Sequence, residues 1–214
     1  MTPDARRIVR LAALSGVVVV PLTVLLLDRP VASWAAATTH GMPLFVSLTL
    51  ISEWLLRIAA VIVAAAGAGW LLGWRPGRAA LVVVVACLAA FVSWSLKEIL
   101  KFAFGRTWPE TWTNNNPSWI KDGVFGFFPF HGGTGWSSFP SGHTTTISAA
   151  MIVLAIAWPR LGLLWALPVL LVAIGLIGAD FHFLGDIVAG AYLGAACGAA
   201  MAFLALGPAP ERRS

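Results

Sequence analysis

Six long stretches of the chain, at residues 11–27, 58–74, 79–94, 144–158, 161–179 and 187–206, contain no Asp, Glu, Lys or Arg. A helix that crosses a bilayer needs about 20 mostly apolar residues. A helix also satisfies its own backbone polar groups, as lipid requires. The predicted fold is therefore all-α: an integral membrane bundle of six transmembrane helices forming a single domain over residues 1–214. Composition agrees. Charged residues make up 11% of the chain and hydrophobic residues 59%, against about 25% charged in soluble domains. The third stretch continues helically toward Phe104. The first follows a basic start without a small-residue cleavage site, so it reads as an uncleaved signal-anchor helix.

The net charge is +5. In a soluble chain such a balance could point to nucleic acid, but here loop placement accounts for it and no nucleic acid is implied. Arg6, Arg7 and Arg10 precede the first stretch. Arg75 and Arg78 lie between the second and third, Arg160 between the fourth and fifth, and Arg212 and Arg213 after the sixth. Six spans put all of these on one side, which the positive-inside rule makes cytoplasmic, together with both termini. The expected location is a bacterial-type inner membrane. Cys87 and Cys197 fall inside predicted spans and read as packing residues, not a disulfide framework. The sequence carries no signal for oligomeric state.

The outer face then holds residues 105–140, too long for a simple connector. Its Trp108, Trp112, Trp119 and Trp136 argue for an ordered outer loop at the lipid interface. Residues 43–74 are too long for one untilted span. They include Glu53 and Arg57, four apart and in the favourable order for a helical ion pair. That pair reads first as a membrane-edge surface pair, and second as a way for Arg57 to face an active site.

Three segments carry side chains of catalytic type, and topology alone puts all three on the outer face. Lys101 to Pro109 leaves the third stretch, Pro140-Ser141-Gly142-His143 enters the fourth, and Asp180 to Asp186 joins the fifth to the sixth. Each suits phosphate. Lys101 and Arg106 offer positive charge. Ser141-Gly142-His143 opens a helix, whose free N–H groups and dipole favour an anion, and Gly142 allows close backbone approach. Asp186, four residues after His182, can hold one ring nitrogen and leave the other free to attack. His143 can then serve as general acid. Lys97 shares the helical face of Lys101 and reads equally well as a snorkelling lysine. His131 is a candidate for the cavity mouth. His40 reads as an ordinary loop residue and Asp180 as a helix-end or loop contact.

These residues resemble the type 2 phosphatidic acid phosphatase family, which shares its core with vanadium haloperoxidases and bacterial acid phosphatases. The family pattern is Lys-x6-Arg-Pro, then Pro-Ser-Gly-His, then Ser-Arg-x5-His-x3-Asp. Residues 140–143 match fully, as does His182-x3-Asp186, and Lys101 with Pro109 matches the ends of the first element. The resemblance covers about residues 90–200, the expected catalytic core. It implies a membrane lipid phosphatase that hydrolyses a phosphomonoester or pyrophosphate of a lipid headgroup, with membrane lipids as its surroundings. It implies that Lys101, Ser141 and Gly142 bind phosphate, that His143 is the acid, that His182 forms a phosphohistidine, and that Asp186 orients it. No metal or other cofactor is implied, and no carboxylate cluster is expected to hold a metal.

Two departures stand out. Trp108-Pro109 replaces the family's Arg-Pro, and Gly175-Leu176 replaces its Ser-Arg. Both phosphate-clamp arginines are thus absent from their positions. Arg106 is the nearest candidate substitute and Arg57 a second. The absences also motivate two other readings: a phosphotransferase passing phosphate to a lipid or sugar acceptor, and a non-catalytic lipid-binding or transport protein of the same fold.

Overall fold

A computed structural model describes residues 3–112 and 114–207, with side chains from residue 14 onward. Arg6, Arg7 and Arg10, as side chains, and Arg212 and Arg213 lie outside that description. Helix α1 (Pro3–Leu26) bends by 53° into α2 (Asp28–Thr38). Helix α3 (Pro43–Leu71) starts with a proline in its first turn, where the missing N–H costs nothing. It runs unbroken for 29 residues, so Glu53 and Arg57 sit on the same helix as the second apolar stretch. Helix α4 (Arg78–Phe104) stops at Gly105, whose φ of 58° is the left-handed cap that glycine accepts most cheaply. A single turn, α5 (Trp119–Asp122), follows in the outer loop. Helices α6 (Gly142–Ala157), α7 (Gly162–Gly178) and α8 (Leu184–Leu206) complete the bundle.

Helices α3, α4 and α8, and the stretch Pro159–Gly178 that contains α7, are each long and apolar enough to cross a membrane, and the bent α1–α2 pair meets the same criterion only when both arms are taken together. Helix α6 is apolar but has only 16 residues. Its position explains why that suffices. It packs against α4, α7 and α8, and most of its first turns are buried in protein rather than facing lipid. The outside of the bundle is what lipid requires: Leu72, Leu163 and Leu204 are 88%, 91% and 85% exposed.

Small residues set how closely α6 and α8 approach. Gly190, Gly194 and Gly198 form a stripe at four-residue spacing on α8. A Cβ added at Gly190 would sit 2.6 Å from the Ser141 carbonyl oxygen, and one at Gly194 would sit 2.9 Å from Ser148 Cβ. Backbone contact of this kind drives helix association where lipid tails remove the hydrophobic incentive. Ala89 and Ala90 of α4 meet Ala149 and Ala150 of α6 in the same small-residue core.

Residues 105–140 form an ordered cap. Arg106 makes isolated backbone bridges with Phe127 and Ser137, and Trp108 makes one with Ser118. Asn116, buried, accepts the Trp112 N–H at 2.7 Å and donates to the Glu110 carbonyl. Ser118 caps α5. The turns bearing Arg75 and Arg160 close the opposite end of the bundle. Cys87 and Cys197 are free thiols within helices.

Candidate active site

The end of α4, the start of α6 and the α7–α8 turn meet beneath the cap, around a cavity of about 500 Å³. Its wall includes Lys97, Lys101, Trp108, His143, His182 and Glu53. Three stretches far apart in sequence thus converge where topology alone places them.

His182 is 5% exposed and held from behind. Its Nδ1 lies 3.4 Å from Asp186 Oδ2 and 3.3 Å from Ser138 Oγ. Ser138 in turn donates to that same carboxylate oxygen at 2.5 Å. Asp186 Oδ2 also accepts the Phe183 N–H at 3.1 Å, which locks the carboxylate at the first turn of α8. A carboxylate at Nδ1 selects the tautomer with its proton there and leaves Nε2 as the open nitrogen. Burial pushes the imidazole below its ordinary value despite Asp186 beside it. Trp108, at the position of the family's clamp arginine, covers the ring at 5.0 Å between centroids. The Trp108 indole donates to the Thr134 carbonyl at 2.7 Å, which fixes that lid.

His143 stands across the cavity, on the first turn of α6, with its ring centroid 6.4 Å from that of His182. Both rings line the same cavity. His143 Nε2 lies 3.9 Å from Glu53 Oε1. Glu53 therefore serves two neighbours, His143 and Arg57, the latter at 3.5 Å.

Two lysines line the cavity. Lys97 is 5% exposed, pairs with Glu98 and lies over the Trp94 ring at 4.9 Å. Its stem crosses the start of α6 so closely that a Cβ on Gly142 would fall 2.6 Å from Lys97 Cε. Gly142 is therefore the gap through which this lysine reaches the site. Lys101, one turn later, lies 5.7 Å from the Trp108 ring.

Arg106 departs from its sequence reading as a phosphate ligand. It is 0% exposed, does not line the cavity, and bridges two buried carboxylates, Asp28 and Asp186. The rings of Phe127 and Phe183 flank its guanidinium at 4.7 and 4.6 Å. Asp28 also accepts the Gly185 N–H at 2.6 Å. The physical reason is local: α4 ends at Gly105, and the next residue turns inward beneath the cap, toward α2 and α8. Arg57 departs as well. Its side chain is 63% exposed, off the cavity, over the Trp54 ring. His131 lies against Trp136, rings tilted by 53°, and lines a smaller pocket that shares Lys101, Thr134 and Ser137 with the cavity. Ser141 is fully buried. Its hydroxyl caps α6 at Thr144, and its N–H donates to the Asp186 carbonyl at 3.0 Å.

Ser138, Asp28 and the Glu53–His143 contact were not read from sequence. The serine carries no spacing signal, and Asp28 becomes informative only as an acid immediately after an apolar run. A cluster of metal-ligating type was not expected either. His40, Glu110 and Asp180 bring one ligand atom each within 4.8 Å of one another. Burial, with Glu110 beside it, pushes the Asp180 carboxyl up to about 7.

Comparison with known proteins agrees with this geometry. The chain is 27% identical over 181 residues to a lipid A 1-phosphatase from Rhizobium johnstonii, covering 81% of this chain and 71% of that protein. It is 28% identical over 182 residues to a lipid A 1-phosphatase from Rhizobium etli, covering 82% and 75%. The fold is similar to the crystal structure of a transmembrane PAP2-type phosphatidylglycerolphosphate phosphatase from Bacillus subtilis. The TM-score is 0.60 at 17% identity, over 95% of this chain and 98% of that one. The profile of the PAP2 superfamily matches residues 78–206, the segment that contributes both histidines and both cavity lysines, and the chain belongs to that superfamily.

Proposed function

We propose that this membrane protein hydrolyses a lipid phosphate through a phosphohistidine on His182, and that the chemistry at phosphorus needs no metal. The observation that carries the reading is His182, locked at Nδ1 by Asp186 and Ser138, facing His143 across a cavity that also holds two lysines. His182 Nε2 attacks phosphorus, forming the N–P bond as the ester P–O bond breaks. The leaving oxygen takes the proton of His143, whose Nε2 lies 3.9 Å from Glu53 Oε1. Water then attacks phosphorus, gives a proton back to His143, and releases phosphate and His182.

Lys97 and Lys101 supply the charge on the equatorial oxygens that the family draws from its arginines. Cationic contacts there are a large part of phosphoryl-transfer catalysis. The Gly142 amide, at a helix N-terminus, adds a donor. The working unit includes Glu53 and Asp28 besides residues 90–200, so the whole chain acts as one catalytic domain.

The arginines at 75, 78 and 160 favour a cytoplasmic side opposite the cap, which places the cavity at the periplasmic face and both termini in the cytoplasm. Both relatives are named lipid A 1-phosphatases, so lipid A is the first substrate to try. Undecaprenyl pyrophosphate, phosphatidic acid and phosphatidylglycerophosphate are the comparison arms.

The test is phosphate release from this panel, together with capture of radiolabelled phosphate on the protein. We expect label that is acid-labile, base-stable and lost in His182→Ala. Phosphate release from no lipid, or release that His182→Ala leaves unchanged, would overturn the reading.

A further inference from the structure

His40, Glu110 and Asp180 come from three segments that chain connectivity keeps apart: the α2–α3 turn, the cap and the α7–α8 turn. Asp180 is 1% exposed, and its Oδ2 makes no hydrogen bond. A buried carboxylate oxygen without a partner is costly. The same carboxyl group offers an oxygen within 4.8 Å of a His40 ring nitrogen and a Glu110 carboxylate oxygen. Glu110 uses one carboxylate oxygen on the Thr111 N–H at 2.6 Å, a bond that holds the group in place. Trp112 joins the same segments from the other side. It stacks on His40 at 6.5 Å and meets Phe181 edge-on at 4.5 Å. Trp112 and Phe181 are also part of the catalytic cavity wall.

We propose that His40, Glu110 and Asp180 bind a divalent cation of the zinc class, which ties the cap to the two turns beside the cavity. One imidazole nitrogen with two carboxylates is a donor set suited to a borderline ion. Calcium and magnesium favour shells made wholly of oxygen. Three protein ligands leave a position for water, as in open zinc sites. The cation offsets the charge of the buried Asp180 and holds Trp112 and Phe181 where they close the cavity. It takes no part at phosphorus, so the proposal stands apart from the phosphatase reading.

The test uses the full chain in detergent, its affinity tag removed and its metal stripped with chelator, titrated with zinc chloride. Calorimetry and elemental analysis read affinity and stoichiometry. We expect one zinc per chain and a rise in melting temperature on loading. Asp180→Asn and His40→Ala should each weaken binding by more than the roughly tenfold that loss of an outer-shell partner costs. Stripped Asp180→Asn should melt no lower than stripped wild type, since it removes an unpaired buried charge. That comparison separates lost binding from lost fold. Zinc held with unchanged affinity in both variants would place the ion elsewhere, for instance between His143 and His182, and would overturn the proposal. So would failure of wild type to bind zinc, or tighter binding of calcium than of zinc.

Discussion

Removing the guanidinium of Arg106 would leave Asp28 and Asp186 facing each other in a core closed to water. Breaking a buried pair in this way costs about 3–5 kcal/mol. Arg106→Ala should therefore show as lost folded yield and lowered melting temperature. Lys97→Ala has the opposite profile. The stem fills the gap above Gly142 without supporting the core, so the fold should persist while kcat falls about 10²–10³-fold, the scale of one lost charge-stabilising donor. Thermal melts beside turnover separate the two. His182 adds a pH dependence. Because burial holds its pKa below the ordinary histidine value, the native ring stays neutral where an unfolded one begins to protonate. Folded stability is then complete above about pH 6.5 and declines as pH falls below it. The acid limb of kcat/KM that reports His182 should likewise lie below pH 6.5. A limb that disappears in Asp186→Asn would support the assignment, and one centred above pH 7 would contradict it. His143, His182, Asp186 and Lys101 were legible in sequence because spacing and side of the membrane constrain them together. Arg106 was not: its charge is visible, but its partners, 78 and 80 residues away, depend on how the cap turns after Gly105.

At the scale of elements, the α6–α8 contact sets the distance between the two histidines, because His143 rides on one helix and His182 precedes the other. The glycine stripe fixes that contact, and its effect should be graded along its length. A methyl group at Gly190 pushes on the Ser141 carbonyl, next to His143, whereas one at Gly198 pushes on Ala149 and Ile152, two turns deeper. Overpacking of this kind costs about 1–3 kcal/mol in either place. Gly190→Ala should lower kcat more than Gly198→Ala does for a comparable loss of melting temperature. Equal effects on kcat would show that helix spacing does not set the site. The six apolar stretches anticipate α1, α3, α4, α6, α7 and α8. The short α6 and the unbroken α3 were harder to read. Hydropathy reports what a helix can bury, not whether it buries it in lipid or in protein.

For the molecule as a whole, an open seam runs between α3 and α4. The catalytic cavity meets it at Leu56 and Trp94. A crevice of about 190 Å³ continues it at Leu55, Ala59 and Val83, and a groove of about 420 Å³ lies farther along, at Ile62, Ala66 and Val84. Both are lined almost wholly by apolar side chains, on helices whose outer faces meet lipid. A lipid whose phosphate sits between His143 and His182 thus has a path for an acyl chain down this seam, entering sideways from the bilayer. A bulky side chain in the seam should block the chain without touching the phosphate. Ile62→Trp is therefore expected to raise KM for a long-chain lipid phosphate severalfold, at about 1–3 kcal/mol of overpacking at most. It should leave kcat/KM for a small soluble phosphate ester unchanged. Equal loss on both substrates would place the damage in the bundle, and no loss on either would mean the chain takes another route.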